Sequence, residues 1–339
     1  MTAPLRVVQW ATGNIGARSL RAVVGHPLLE LVGVWVHAAD KVGTQIGGVT
    51  ATNSLDDVVA LGADCVLYMP RATDVDELCA LLASGANVVT TRGDFHRPAS
   101  MDAGVRARIE DACARGGSSI HSTGSSPGFI TEAVPLVLSS IQRRLDLLAI
   151  EEFADLSKRD SPDLLFNLMG FGHPPAAVSD ARTGHFLNSF GPSLLLTADA
   201  LSIPIDGLVA DGSVALAAHD ITIAAGTIGA GTVAAQRTTV KAMRGDSPAI
   251  TFTATWYCGT DLDQDWDLRA TGWRIRVDGD APLDIDMRFA VTLDDMAATT
   301  PGYTANRAVN AVPIVCAAPP GIRTTVDLPP IVAHLGGNA

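Results

Sequence analysis

Positive charge is in deficit in this chain. Lys and Arg number 24 against 36 Asp and Glu, a formal net charge of −12. Nucleic acid is held by cationic side chains on its phosphates, so no nucleic-acid partner is expected, and the acidic balance mainly favours solubility. Paired cysteines are missing too. The five cysteines (Cys65, Cys79, Cys113, Cys258 and Cys316) are scattered, with no C-x-x-C spacing. They read as reduced, mostly buried thiols of a cytoplasmic protein, and no metal centre is expected. No basic-then-apolar leader opens the chain. The most apolar long segment, Val214 to Ala235, is broken by His219, Asp220 and several Gly and Thr. A membrane span wants about 20 uninterrupted apolar residues, so strands are expected there and no membrane. Internal repeats and low-complexity linkers are absent as well. At 339 residues and 47% hydrophobic, the chain can bury a large core, and two domains are expected.

What is present starts at the N-terminus. Leu5 to Trp10 is a short apolar run, as a parallel strand covered on both faces requires. Thr12 to Gly16 is a turn. Asn14 to Val24 then carries Ile15, Leu20, Val23 and Val24 at helical spacing, and Gly25-His26-Pro27 stops it. A strand feeding a helix in this way aims free N–H groups and the positive end of the helix dipole at one point, which makes an anion site. Ala11-x-Gly13-x-x-Gly16 is the dinucleotide fingerprint G-x-G-x-x-G with alanine at its first glycine. Gly13 allows a pyrophosphate to approach the backbone, and Gly16 allows helix and strand to pack closely. Ala11 is tolerable only if its φ stays negative. Thr12, Asn14 and Ile15 complete the cofactor turn.

Leu29 to Val36 is the second strand. An acid at its end would accept from the ribose 2′-OH and select NAD. The sequence there is His37-Ala-Ala-Asp-Lys41. Neither His37 nor Lys41 repels a 2′-phosphate, so NADP(H) is favoured, with NAD still open through Asp40. Strands at Asp64–Met69, Asn87–Thr91 and Ser118–Thr123 alternate with helices at Asp74–Ala83 and Met101–Arg115, and a short helix begins at Ser54. This is an α/β pattern: a Rossmann-type doubly wound parallel sheet, whose ligands sit at the C-terminal strand ends. Gly13, His37, Met69, Thr91 and Gly124 should ring one cleft. Met69-Pro70-Arg71 would lie over the adenosine, and Arg92 and Gly93 follow the fourth strand.

From about Leu145 the texture changes. Leu147–Phe153, Leu216–Ile223, Val233–Met243, Ile250–Tyr257, Trp273–Val277 and Ile285–Thr292 read as strands, and Pro162–Met169 and Pro192–Ala200 as helices. Residues 145–302 therefore form an α+β domain with a largely antiparallel sheet, for substrate binding and dimerisation. Ala305 to Ala317 is an apolar helix that should return to the first domain. Residues 1–144 with 303–339 then make the dinucleotide-binding domain. Gly124-Ser-Ser-Pro-Gly128 also fits the G-x-S-x-G nucleophile elbow. Pro127, however, stands where that mechanism needs an oxyanion-hole N–H, and proline has none. The loss of such a donor costs about 10²–10³ in rate. The turn is better read as covering the nicotinamide, with Ser126 in contact and Pro127 opening a helix.

Val8-Gln-Trp-Ala-Thr-Gly-Asn-Ile-Gly16, Val34-Trp-Val-His37 with Lys41-Val-Gly43, Thr123-Gly-x-x-Pro-Gly-Phe129 and Ala308-Val-Asn-Ala-Val-Pro313 resemble the 2,4-diaminopentanoate dehydrogenase and native amine dehydrogenase group. That group has a dihydrodipicolinate-reductase-like cofactor domain. The resemblance implies NAD(P)-dependent oxidative deamination of a small amine, or reductive amination of a small ketone or aldehyde with ammonia, in a homodimer. The group's turn has Asn where this chain has Ser126. Its active members carry a glutamate in the loop after the Thr90-Thr91 strand, where the nearest acid here is Asp94. Two alternatives stand beside amine chemistry: an NADPH-dependent ketone or aldehyde reductase without ammonia, and a non-catalytic NADP(H)-binding sensor. Hydride transfer needs an exposed cofactor ring, a dry pocket and a proton donor. Asp94 and His96, just past a strand end, are the candidate proton carriers. Phe129, Phe153, Phe166, Met169 and Phe171 would wall the pocket or fill the core. One of Glu151 and Glu152 would enter it, His173 lies in a candidate lid, and Asn310 would bond the nicotinamide carboxamide.

Overall fold

The computed structural model describes residues 3–175 and 180–335. The chain divides into two units, Met1–Phe129 with Thr300–Ala339, and Ile130–Thr299. The first begins with β1 (Leu5–Trp10), α1 (Asn14–Val24), β2 (Leu29–Trp35), the hairpin β3 (Gln45–Ile46) and β4 (Val49–Thr52), and α2 (Leu55–Ala60). It continues with β5 (Cys65–Tyr68), α3 (Val75–Ala83), β6 (Asn87–Thr90), α4 (Ala103–Gly116) and β7 (Ser119–Ser122). Side-chain oxygens cap the helices where the sequence supplies them: Ser54 accepts from Asp57 N–H, Asp74 from Asp76 and Glu77, and Asp102 from Gly104 and Val105. β5 and β7 are buried along their whole length, because this sheet has apolar cover on both faces. Val8, Val66, Val88 and Ile120 pack with α2–α4 residues, while Val7, Leu67 and Val89 pack with the C-terminal helix.

The second unit holds α5 (Val134–Ser139), β8 (Leu145–Asp155), α6 (Asp180–Ala200), β9 (Gly207–Leu216), β10 (Ile221–Ile223) and β11 (Gly226–Ile228). After these come β12 (Val233–Arg244), β13 (Ser247–Tyr257), β14 (Gly272–Gly279), β15 (Leu283–Arg288) and α7 (Leu293–Thr299). Six strands form a sheet in the order β15-β14-β8-β13-β12-β9, antiparallel except for the parallel pair β8 and β13. Period-2 alternation gives it two unlike faces. Phe252, Val240 and Ile150 are buried on the face that α6 covers, with Phe190 stacked on Phe252 at 4.1 Å. On the opposite face Thr239 and Thr253 share a 3.0 Å hydrogen bond, and Arg274 pairs with Asp284 and Glu151.

The chain then returns to the first unit through α8 (Pro301–Cys316) and β16 (Gly321–Arg323). The finished sheet runs β16-β7-β6-β5-β1-β2-β4-β3, parallel from β16 to β4. α8 packs on α1 and β6, buried along Ala305, Ala308, Val312 and Val315. Among the described residues no helix is long and apolar enough to cross a membrane.

Several expectations are corrected. Ala11 has φ +71, not negative, so the turn keeps the left-handed conformation that glycine favours and alanine bears it. Pro127 does not open a helix: Ser126, Pro127 and Gly128 all have non-helical backbone. Leu216–Ile223 is not one strand. β9 ends at Leu216, and Asp220 accepts from Ala230 N–H across the loop that precedes β10. α6 starts well before Pro192 and contains it. The helix expected at Ala305–Ala317 starts earlier, at Pro301, and ends at Cys316 ahead of Pro319-Pro320, so it does not extend through 303–339; residues 336–339 lie outside the described residues. The units meet in sequence at Phe129/Ile130 rather than at 144/145, because α5 packs on α6.

Candidate functional site

β1 ends against α1 in a tight turn whose parts brace one another. Gln9 is fully buried inside an otherwise apolar strand, and its Nε2 donates to the carbonyls of Trp10, Ala11 and Leu67 at 3.2, 3.0 and 3.3 Å. A Cβ on Gly16 would lie 2.1 Å from the Ala11 carbonyl oxygen, so only glycine permits α1 to start this close to β1. Gly13 is the N-cap residue, no side chain caps the helix, and no acid stands in its first turn. A Cβ there would meet nothing within 4 Å, so the space before the helix end is open. The first N–H groups of a helix lack intrahelical partners. Here they face that opening with the positive end of the helix dipole behind them, which fits the diphosphate of a dinucleotide. Thr12, Asn14 and Ile15 line this start, and Arg18 donates to the Asn14 side chain and carbonyl.

At the ends of β1 and β2, Trp10 and Trp35 stack at 4.3 Å and 5°, and His37 lies 6.1 Å beyond Trp35. His37, Asp40 and Lys41 are exposed, and Lys41 Nζ donates to Thr12 Oγ1 at 3.3 Å. The strand-end loop thus places a cation at the phosphate turn. Pro70 is half-buried, but Met69 is buried under α1, where its Sδ accepts from Ser19 Oγ at 3.1 Å. Met69 therefore supports the turn from behind and does not cover an adenosine. Glu77 bonds the Tyr68 hydroxyl at 3.2 Å, and burial holds its carboxyl above the usual range.

Past β6, Thr91, Arg92 and Gly93 are half-buried. Arg92 bonds Asp94 and Thr73 and the Arg71 carbonyl, and its own carbonyl accepts from Ser122 Oγ. Asp94 is exposed, its carboxylate held by Thr73 at 2.7 Å and Arg92 at 3.3 Å. His96 is only 2% exposed. The Gly124–Phe129 turn is fastened by α8: Thr304 bonds the Ser125 hydroxyl and N–H, Arg307 bonds Thr123 Oγ1 at 3.1 Å, and its guanidinium lies 5.4 Å from the Phe129 ring centroid. Ser126 Oγ is buried with no hydrogen-bond partner. Asn310 is half-buried on α8. Gln9, Trp10, Trp35, Thr304 and Arg307 were not among the expected site residues. The one signal available was Gln9, a polar residue in a strand that is otherwise apolar.

In the second unit Glu151 and Glu152 point to opposite faces, as alternation requires. Glu151 faces Arg274 and Arg276 at 3.7 and 4.0 Å. Glu152 accepts from the indoles of Trp256 and Trp273. Phe171 is fully buried with Leu165, Ile228 and Cys258, and Phe153 is buried too, so both are core. Phe166 and Met169 are half-buried against that cluster. His173 is exposed in a loop that pairs by backbone with Val233.

A doubly wound sheet with an uncapped phosphate turn after its first strand defines a Rossmann-type dinucleotide-binding protein. Comparison with known proteins carries this further. Residues 177–339 match the model of the 2,4-diaminopentanoate dehydrogenase C-terminal domain. The chain is 28% identical over 362 residues to an amine dehydrogenase of Streptomyces virginiae, covering 98% of this chain and 99% of the relative. In structure it is similar to an amine dehydrogenase from Mycobacterium smegmatis, with TM-score 0.77, 16% identity and 97% of each chain covered. It also resembles a probable dehydrogenase from Thermotoga maritima, with TM-score 0.57 and 11% identity over 95% of this chain and 92% of that one. The protein is an NAD(P)-dependent oxidoreductase, and the resemblance to the 2,4-diaminopentanoate dehydrogenase and amine dehydrogenase group holds.

Proposed function

We propose that this protein is an NADP(H)-preferring amine dehydrogenase. It would convert a small primary amine, oxidised coenzyme and water to a carbonyl compound, ammonium and reduced coenzyme, and run reductive amination in reverse. The observation that carries the cofactor half is the open, acid-free start of α1 with Lys41 bonded to Thr12. The amine half is supported by the likeness to the Streptomyces virginiae amine dehydrogenase along nearly the whole chain.

Bound cofactor supplies or accepts the hydride. Gly13, Asn14, Ile15 and Gly16 hold its diphosphate by backbone N–H groups, with Thr12 beside them. Lys41 and His37 meet the 2′-phosphate, and Ser126 and Asn310 bond the nicotinamide end. Pro70, Thr91, Arg92 and Gly93 border the same strand ends, and Phe129 closes the turn. Asp94 is the proposed acceptor for the ammonium proton and His96 the proposed proton donor to oxygen. Met169 and His173 contribute to the substrate side. Homodimeric assembly and a cytoplasmic setting complete the proposal.

One observation favours a second reading. The Asp94 carboxylate is already engaged by Thr73 and Arg92, which suits a ketone or aldehyde reductase that needs no ammonia. NADPH oxidation with a panel of small ketones and aldehydes separates the two. Consumption only when ammonia is present supports the amine dehydrogenase. Equal consumption without ammonia replaces it with the reductase.

A further inference from the structure

The sheet of the second unit carries a carboxylate that has no ion-pair partner among the described residues. Glu152 lies within β8, and the strand register sets Trp273 of β14 and Ala254 of β13 beside it on one face. Trp256 follows Ala254 by two residues on that face. Its Nε1–H donates to Glu152 Oε1 at 3.1 Å, and the Trp273 Nε1–H donates to Oε2 at 3.0 Å. The indoles are themselves fixed: Phe186 of α6 packs on Trp256 at 5.2 Å, and Phe289 stands edge-on to Trp273 at 4.6 Å. Among the described residues no Lys, Arg or His forms an ion pair with Glu152. Arg274 and Arg276 face Glu151 instead.

A carboxylate offers about four acceptor directions, and two neutral N–H groups fill half of them. A partly buried charge without an opposite charge is the exception in folded proteins. The remaining lone pairs suit an ammonium group, whose N–H donors form charge-assisted hydrogen bonds to a carboxylate. A second acceptor on the same face is idle. Gln236, the cross-strand partner of Trp256, is fully buried; its Nε2 donates to the Met169 carbonyl at 2.7 Å, and its Oε1 has no donor. An anion at Glu152 would be repelled by its charge, and an apolar ligand would leave its remaining lone pairs unpaired.

We propose that Glu152, held by the indole N–H groups of Trp256 and Trp273, binds the ammonium group of an aliphatic amine. The assignment deepens the amine dehydrogenase reading and rests on it for the amine's being a substrate. The test titrates the full chain, without coenzyme so that no turnover occurs, with sec-butylammonium chloride. The neutral isostere 2-butanol and matched sodium chloride serve as controls. Binding is read by calorimetry and by tryptophan fluorescence. Saturable binding of the ammonium with a change in indole emission is expected, and 2-butanol should bind about tenfold or more weakly. Glu152→Gln, which keeps size but not charge, should erase that preference. Glu151→Gln, on the opposite face of the same strand where Glu151 meets Arg274, should retain it. Equal binding of ammonium and alcohol, no ammonium binding, or an unchanged Glu152→Gln variant each overturns the assignment. The turnover assay is read separately. Ammonium binding without ammonia-dependent turnover defeats the dehydrogenase reading alone, and ammonia-dependent turnover untouched by Glu152→Gln defeats the ammonium site alone.

Discussion

Two neighbouring positions in the phosphate turn should respond to the same small change in opposite directions. Ala11 sits at φ +71, in the left-handed region. A non-glycine residue there bears roughly 1–2 kcal/mol of steric cost. Glycine's greater freedom in the unfolded chain takes back about 0.4–1 kcal/mol. Ala11→Gly should therefore stabilise the protein by about 0.5–1 kcal/mol, a rise in Tm of roughly 1–4 °C for a unit of this size. Gly16→Ala does the reverse. Its Cβ would meet the Ala11 carbonyl oxygen at 2.1 Å and Gln9 Nε2 at 3.0 Å. The first of these is backbone inside the turn and cannot swing aside. Relief requires α1 or the turn to shift, at a cost of about 1–3 kcal/mol and roughly 2–12 °C in Tm. The shift also moves the N–H groups meant for the diphosphate, so NADPH affinity should fall by about tenfold or more. Thermal unfolding by circular dichroism and NADPH fluorescence titration give both readouts. The residues are in contact, so the double variant should not equal the sum of the singles. A lower Tm for Ala11→Gly, or a Gly16→Ala protein that keeps both Tm and affinity, would refute the reasoning.

Other consequences can be checked individually. Lys41→Ala should weaken NADPH binding by about tenfold and NADH binding much less, with the difference shrinking as salt rises; equal losses would remove Lys41 from 2′-phosphate recognition. Gln9→Leu keeps the volume but strips the donor from the Ala11 carbonyl, and chemical denaturation should show a loss of about 1–3 kcal/mol. The His26 imidazole is held below its usual range by burial and then by the neighbouring His334. The unfolded chain therefore binds the extra proton as pH falls below about 6.5, so stability is full above that value and declines beneath it. Urea midpoints measured from pH 7 to pH 5 should fall less steeply in His26→Gln than in the parent, and parallel slopes would count against this account.

Local patterns made most helices and the main strands of the first unit readable, though not the β3–β4 hairpin, β16 or the backbone at Ala11 and Pro127. Apolar runs of strand length, side-chain caps at Ser54, Asp74 and Asp102, and the Ala11–Gly16 spacing are all short-range signals, and each maps onto an observed element. The second unit was legible in class but not in detail. His219 and Asp220 looked like interior residues of one strand, yet they occupy a loop whose closure depends on Ala230, beyond the β10–β11 hairpin. Phe171 and Met69 looked like pocket walls because aromatic and sulfur side chains serve both pockets and cores. Their burial depends on α1 and on the strands around Val233, which no local window contains.

The alternation that sends Glu151 and Glu152 to opposite faces was present in the order of residues, because a strand has period two whatever surrounds it. Which of the two would find arginines and which would find indoles was not. That followed from β14 and β13 pairing on either side of β8, bringing together residues more than a hundred positions apart. Backbone stereochemistry acts over a few residues and can be read from the chain itself. A charge acquires its partners only when distant strands take their register, and those partners decide what it can bind.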